Sequence, residues 1–397
     1  MDKNPILEMI LDNGLGGAKP EKQLLCFAKA IAKEYPAIKR LALGMSTLHP
    51  QYGALTYVWK SQEQAVTNAP QSRSVLNSET FTNSPINHLL QTGSSDYRQR
   101  LDTGAELPFP ILEEVRAEGM TEYAAHLIRF EDQQTNQNGL QGVFYSFATD
   151  DPEGFENSAL EDVYTYLPHL TLALKSRLTF DVAKIVAETY LGKDAGKRVL
   201  TGQIVQGSTH SIHAVIWFCD LRGFTKHASR LEQEALIEIL DEHLELLAGP
   251  VEANGGQILK FMGDGFLATF EVEEGNLSGV ASTALAAARK LRQDFARTKS
   301  AWSAENKPVL DFGLSLHVGD VYYGNIGTDR RLDFTVVGPS VNLASRIQDL
   351  CRPLEQDILV SNAFREAIGV EEPGLVHAGT HELRGVSQRQ EIYLLGK

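Results

Sequence analysis

The sequence predicts an α+β protein of two domains joined by a helical connector, and three observations carry that expectation. At 397 residues the chain is too long for one ordinary domain. Short apolar runs of strand length are interleaved with longer amphipathic periods on either side of residues 159–210. Within that middle stretch, apolar residues recur at spacings of three and four from Leu160 to Ile185, one face of a single helix.

The first domain is placed at 1–158. Leu24 to Ala32 reads as a helix and Lys39 to Met45 as a strand. Gly142 to Thr149 (GVFYSFAT) is apolar or aromatic on both faces and therefore reads as a central strand. Asn68 to Ser95, rich in Ser, Thr, Asn and Gln, carries turn signals. The connector, 159–210, places Leu160, Val163, Leu167, Leu170, Leu174, Leu178, Val182 and Ile185 on one face, with a stutter-like double step of four after Leu174. Pro168 is expected to kink or break this helix, because proline lacks an N–H and pushes Leu167 away from α geometry. The face suits a helix packed on its own domain or a parallel dimer helix.

The last domain is placed at 211–397. His213 to Cys219 (HAVIWFC) reads as a buried strand, and Leu231 to Ala248 as an amphipathic helix. Gln257 to Phe270 reads as a hairpin turning at Gly263-Asp264-Gly265, since Asp-Gly tolerates positive φ. A helix follows over Ala281 to Arg297, strands over Val309 to Val318 and Asp333 to Val337, and a helix over Ser340 to Leu350. The expectation is an α+β sandwich with helices on one sheet face.

The composition excludes several classes. With 43% hydrophobic and 22% charged residues it is that of a soluble globular protein. A net charge of −14 argues against nucleic acid or an anionic membrane as the main partner, but not against a nucleotide. No apolar run approaches the roughly 20 residues of a membrane span, and the start, MDKNPILEMILDNGLGG, does not read as a signal peptide. Cys26, Cys219 and Cys351 have no paired spacing, which fits a reducing, cytoplasmic setting.

Candidate chemistry concentrates in the last domain. Asp220 ends a buried strand before a Gly-containing turn, where a carboxylate can hold a divalent cation and turn N–H groups can face phosphate. It can equally be a helix cap. Asp264 sits at a hairpin tip, where it is either a second ligand or simply the residue the turn demands. Two such carboxylates suit two Mg²⁺ or Mn²⁺ ions, one acting on an attacking hydroxyl and one on phosphate charge. Asn342 and Arg346, four apart, share a helix face. None of the eleven histidines forms an H-x₃-H-type pair near these motifs, and His227 and His243 are expected on helix surfaces.

Four segments in order, FCDLRGFT, LKFMGDGFLATF, HVGDVYYGNIG and RRLDFTVVGPSVNLASR, resemble the class III adenylyl and guanylyl cyclase family over about Ser211 to Ile368. The resemblance implies a ferredoxin-like core. It implies that Asp220 and Asp264 are the metal ligands, two Mg²⁺ or Mn²⁺ per site, with the Leu221 carbonyl assisting. Gly223, Phe224 and Thr225 are the implied phosphate-cradling turn. Asn342 is implied to orient the ribose and Arg346 to stabilise the pentavalent phosphorus. Arg331, Arg330 or Arg384 is the candidate pyrophosphate contact, each equally readable as a surface charge.

By the same resemblance Lys260 reads the purine, and its partner position, three before Gly338, is Thr335. Lysine donates to adenine N1 and cannot accept from guanine. Guanine would then leave its donors unpaired, at about 1–3 kcal/mol. The resemblance therefore implies an adenylate cyclase converting ATP to 3′,5′-cyclic AMP and pyrophosphate. The alternatives are a guanylate or pyrimidine cyclase, or a catalytically silent nucleotide-binding sensor. The family's sites lie between two catalytic domains, so a homodimer is implied.

The first domain resembles a GAF domain. The resemblance rests on the strand ending Ser-Phe-Ala-Thr-Asp before Pro-Glu-Gly-Phe, the long helix after it, and Gly119-Met120-Thr121-Glu122-Tyr123. It implies a small-molecule effector site or a ligand-free dimer platform. Thr189-Tyr190-Leu191-Gly192 and Val199-Leu200-Thr201-Gly202 resemble a transducer element ahead of a cyclase domain.

Overall fold

The computed structural model describes residues 4–46, 52–63, 65–102, 104, 106–130, 142–224, 232–305, 307–369 and 372–396. The chain divides into two compact units, 1–186 and 187–397.

The first unit is built on strands β1 (Arg40–Ser46), β2 (Tyr52–Lys60), β3 (Thr67–Ser72), β4 (Asp96–Arg100), β5 (Glu122–Arg129) and β6 (Gly142–Thr149). They form an antiparallel sheet in the order β3-β2-β1-β6-β5-β4. The apolar run of β6 lies between β1 and β5, and both of its faces are covered. Alternation along the strands sorts the side chains onto two faces. Leu41, Leu43, Tyr145 and Phe147 pack against helices α1 (Pro5–Leu15), α2 (Pro20–Glu34) and α6 (Asn157–Leu191). On the opposite face Tyr123, Ala125 and Leu127 meet α4 (Pro85–Thr92) and α5 (Pro110–Ala117), which follow the single-turn α3 (Glu79–Thr82).

Helix α6 runs through Pro168 without a break, which corrects one of the two outcomes expected there. Pro168 is exposed, while its neighbours Leu167 and Leu170 are buried in the unit's core with Val163 and Leu174. Fully burying each such side chain stabilises by about 1.5–3 kcal/mol, and together they outweigh the roughly 3 kcal/mol cost of an interior proline. The face from Leu160 to Leu178 packs on its own unit.

The second unit holds helices α7 (Lys193–Leu200), α8 (Gln233–Ala253), α9 (Leu277–Ala304), α10 (Pro339–Asp349) and α11 (Asn362–Ile368). Its strands are β7 (Thr209–Leu221), β8 (Gln257–Met262), β9 (Gly265–Glu271), β10 (Phe312–Thr328), β11 (Arg331–Val337), β12 (Ile358–Ser361), β13 (Leu375–His381) and β14 (Gln390–Leu395). The sheet order is β13-β14-β12-β10-β7-β9-β8, with β11 pairing β10.

Helices cover both faces of this sheet, which corrects the one-face expectation. On β7, Val215, Trp217, Cys219 and Leu221 pack under α8, α9 and α11. The alternate residues Ile212, Ala214 and Ile216 pack with Ala195 of α7 and Ala344 of α10. An apolar residue at every position from Ala214 to Cys219 is the signature of a strand buried twice over. Strand β10 continues ten residues beyond Val318, because β7 and β11 supply ladder partners for its whole second half.

Candidate active site

Asp220 and Asp264 meet at one end of this sheet. Asp220 is the penultimate residue of β7 and pairs with Gly265, the first residue of β9. Asp264 precedes Gly265 in the two-residue loop between β8 and β9, and its carbonyl accepts from Leu221 N at 3.0 Å. Positive φ falls on Gly263, at 66°, so the tight turn is Gly-Asp rather than the expected Asp-Gly. Gly265 is already ladder-paired and serves a different purpose. A Cβ built on it would overlap Cys219 O and lie 2.7 Å from Asp220 Oδ1. Glycine is therefore what lets the two strand ends close with the carboxylates side by side.

Electrostatics record this closeness. Partial burial, then the Asp264 carboxylate, pushes Asp220 up from the usual carboxylate range to about 6. A further contribution comes from Asp349, at the end of α10. Two carboxylates held together in a half-buried turn suit a divalent cation. Among the described residues no group of three or more His, Cys, Asp or Glu is placed to hold one. Two carboxylates alone leave most positions around such a cation to phosphate oxygens and water, which is how Mg²⁺ is commonly held.

The turn beyond Asp220 is anchored from behind. Arg222 N donates to Asp311 O at 2.6 Å, and its guanidinium donates to the carbonyls of Cys351, at 2.9 Å, and Gln356. Gly223 takes φ 78°, and Phe224 packs against the main core. Thr225 and His227 lie outside the described residues.

The other predicted residues sit on separate elements. Lys260 is exposed on β8, next to the exposed Phe261. Thr335 is buried on β11, which packs on β8 through Phe334, Val336, Leu259 and Met262. Its Oγ1 has no hydrogen-bond partner. Asn342 is exposed on α10, and Arg346 on the same helix donates to Asp349 Oδ2 at 3.1 Å. Arg330, Arg331 and Arg384 are exposed. Among the described residues, no hydrogen bond or ion pair joins the aspartate pair to Lys260, Thr335, Asn342 or Arg346.

One histidine expectation is corrected: His243 is buried. Its Nδ1 bonds to Ile239 O at 2.7 Å, its Nε2 accepts from Leu310 N at 3.1 Å, and its ring lies against Trp302. Its place four residues before the buried Leu247, on the apolar side of α8, was the available signal.

These residues fall within the match to a known family. Residues 208–397 match the adenylate and guanylate cyclase catalytic domain. Residues 208–397 belong to the class III nucleotide cyclases. The chain aligns with an adenylate cyclase of Anabaena cylindrica, 28% identical over 157 residues, 40% of this chain and 31% of that protein. A terminal-differentiation-specific adenylate cyclase of Dictyostelium discoideum is 29% identical over 181 residues, 45% of this chain and 8% of its own length. The chain thus spans less than a third of the length of either relative. Among solved structures, the adenylyl cyclase CyaB of P. aeruginosa is 28% identical, covering 48% of this chain and 96% of that one with a TM-score of 0.42. The guanylyl cyclase Cya2 is 26% identical, covering 47% and 93% with a TM-score of 0.41. No helix among the described residues is long and apolar enough to cross a membrane.

Proposed function

We propose that the chain is an adenylate cyclase that converts ATP to 3′,5′-cyclic AMP and pyrophosphate at sites shared between two copies of its cyclase domain. The contact between Asp220 and Asp264 carries the reading. Few structural roles require two carboxylates pressed together at a glycine-tightened strand end, and a cation-dependent phosphoryl transfer does.

In this reading Asp220, Asp264 and the Leu221 carbonyl hold two Mg²⁺ or Mn²⁺ ions. Bound there, the ions supply positive charge to the attacking hydroxyl and to the phosphates. Gly223, Phe224 and Thr225 shape the turn that meets the phosphates. Asn342 orients the ribose so that its 3′-oxygen lies in line with the α-phosphorus. The new bond forms between that oxygen and the α-phosphorus, the bond to the bridging oxygen breaks, and pyrophosphate leaves. The hydroxyl proton is released beside the carboxylate pair. Arg346 exchanges its exposed partner Asp349 for the pentavalent phosphorus. Surface ion pairs are worth about 0–1 kcal/mol, so the exchange costs little. Arg331, aided by Arg330 or Arg384, meets the pyrophosphate.

Base choice rests on Lys260 and on the unpartnered hydroxyl of Thr335, which adenine's amino group would satisfy. The shared site is supported by exposed apolar side chains beside these residues: Phe261 next to Lys260, and the cross-strand pair Tyr322 and Val337 near Thr335. A second copy would cover them. The GAF-like reading of the first unit is supported by its antiparallel sheet with helices on both faces.

Incubating the full chain with each of the four ribonucleoside triphosphates and Mg²⁺ or Mn²⁺, with products identified by mass, tests the reading. Cyclic AMP is the expected main product. Turnover of GTP alone would overturn the base assignment, and no turnover of any triphosphate would favour the silent sensor.

A further inference from the structure

The first unit encloses a cavity of about 570 Å³, within the usual range for small-molecule sites. Its floor is the sheet face turned away from α1, α2 and α6. Ala42 and Gly44 of β1 and Thr56 of β2 lie there, and Phe81, Ile86 and Ile111 close it from the other side.

The small residues are not demanded by packing. Gly44 is absent from the positive-φ positions, and a Cβ on it would meet only Phe144, at an ordinary 3.8 Å. Glycine in the interior of a strand weakens the sheet unless something must approach its backbone. The floor is therefore kept open at some cost to the strand.

One end of the cavity is polar. Arg40, 8% exposed, lines it together with the buried Tyr123 and Ser146. Glu118 Oε2 is 3.5 Å from Arg40 Nε, near enough to balance charge, yet Nε has no hydrogen-bond acceptor. Glu118 is also shared with Lys60, whose Nζ lies 2.9 Å from Oε1. Arg40 therefore has no carboxylate to itself. Glu114, the other charged residue lining the cavity, is exposed. A buried guanidinium N–H without an acceptor, in a largely apolar chamber, is matched by an anionic oxygen on an apolar body.

We propose that this cavity binds a small carboxylate with an apolar, ring-sized body, its carboxylate on Arg40 and its ring over Ala42, Gly44 and Thr56. Calorimetric titration of the full chain with three aryl carboxylates (1-naphthaleneacetate, indole-3-acetate and 4-phenylbutyrate), each paired with its corresponding alcohol, tests it. At least one acid is expected to bind at one site per chain, about tenfold or more tighter than its alcohol, the scale of one charge-assisted hydrogen bond. Arg40→Met is expected to erase the difference between acid and alcohol. Thr56→Trp, which fills the chamber and leaves Arg40 in place, is expected to weaken both by at least about tenfold. Asp220→Ala is expected to leave binding unchanged. Saturable binding by none of the acids would overturn the proposal, as would equal affinity for acid and alcohol. Binding unaltered in Thr56→Trp would also overturn it, and that comparison stands even if Arg40→Met fails to fold.

Discussion

Gly265 stands directly against Asp220, so close that a methyl group on it would lie 2.7 Å from the carboxylate oxygen. The spacing of the proposed metal ligands is thus set by a residue with no side chain. Gly265→Ala must push either the β9 backbone or Asp220 aside. A displacement near 1 Å at a reacting centre costs on the order of 100-fold in rate. Cyclase activity is expected to fall by about that factor, while the circular dichroism spectrum stays that of the parent. Full activity in this variant would show that the contact does not position Asp220.

The carboxylate pair also has a signature in stability. Asp220 is raised in the folded state to about 6, above its unfolded value near 4. The folded state therefore binds more protons between about pH 4 and pH 6, and stability declines as pH rises through that window. Without divalent ions, Asp264→Asn is expected to stabilise the protein at pH 8 and to do little at pH 4. Because Asp220 is only half buried, screening limits the gain to about 1 kcal/mol, or roughly 2–4 °C in melting temperature. Adding Mg²⁺ or Mn²⁺ should stabilise the parent at pH 8 and not the variant. Melting curves with chelator and with metal at both pH values check both signs.

His317 has the opposite pH signature. It is buried, its Nδ1 is 2.8 Å from Ser361 Oγ, and burial, with a smaller effect from His213, lowers it to about 4. The unfolded chain then binds the extra proton between about pH 6.5 and pH 4, so stability falls as pH drops through that window and levels off below it. The loss attributable to this residue is about 3 kcal/mol. His317→Gln is expected to flatten the dependence of denaturation midpoint on pH over that range relative to the parent. An unchanged slope would contradict a neutral buried imidazole.

Thr335 separates substrate reading from folding. Its hydroxyl is buried without a partner, so Thr335→Val removes an unsatisfied group while nearly conserving shape. Melting temperature is expected to hold or rise, whereas the preference for ATP over GTP is expected to drop by roughly tenfold, one hydrogen bond's worth. A loss of stability with unaltered preference would make Thr335 a structural residue only.

Much of the second unit was legible in its sequence because its signals are local. The apolar run ending at Asp220, the glycine-flanked Asp264 and the four-residue step from Asn342 to Arg346 each mark an element end or a helix face. What escaped depends on contacts between distant segments. The continuation of β10 past Gly319 and Asp320 needs β7 and β11 beside it. The burial of His243 needs Trp302 and the Leu310 amide, and the helix through Pro168 needs the core that holds Leu167 and Leu170. Arg222 and Asp349 escaped for the same reason. Arg222 anchors the turn through carbonyls more than 120 residues away, and Asp349 adds its charge to Asp220 from the end of α10. The role of Gly265 also depends on pairing, because only the register Asp220 to Gly265 shows what a side chain there would meet.

The shared site makes the most direct demand. Asp220→Ala and Asn342→Ala are each expected to form no cyclic AMP from ATP with Mn²⁺, since each variant spoils both sites of its own homodimer. Mixed and allowed to exchange subunits, they form heterodimers with one site that has lost both residues and one intact site. Cyclic AMP formation is then expected to return to about a quarter of the parent rate for random pairing. A mixture as inactive as its components, with subunit exchange verified, would contradict a site assembled from two chains.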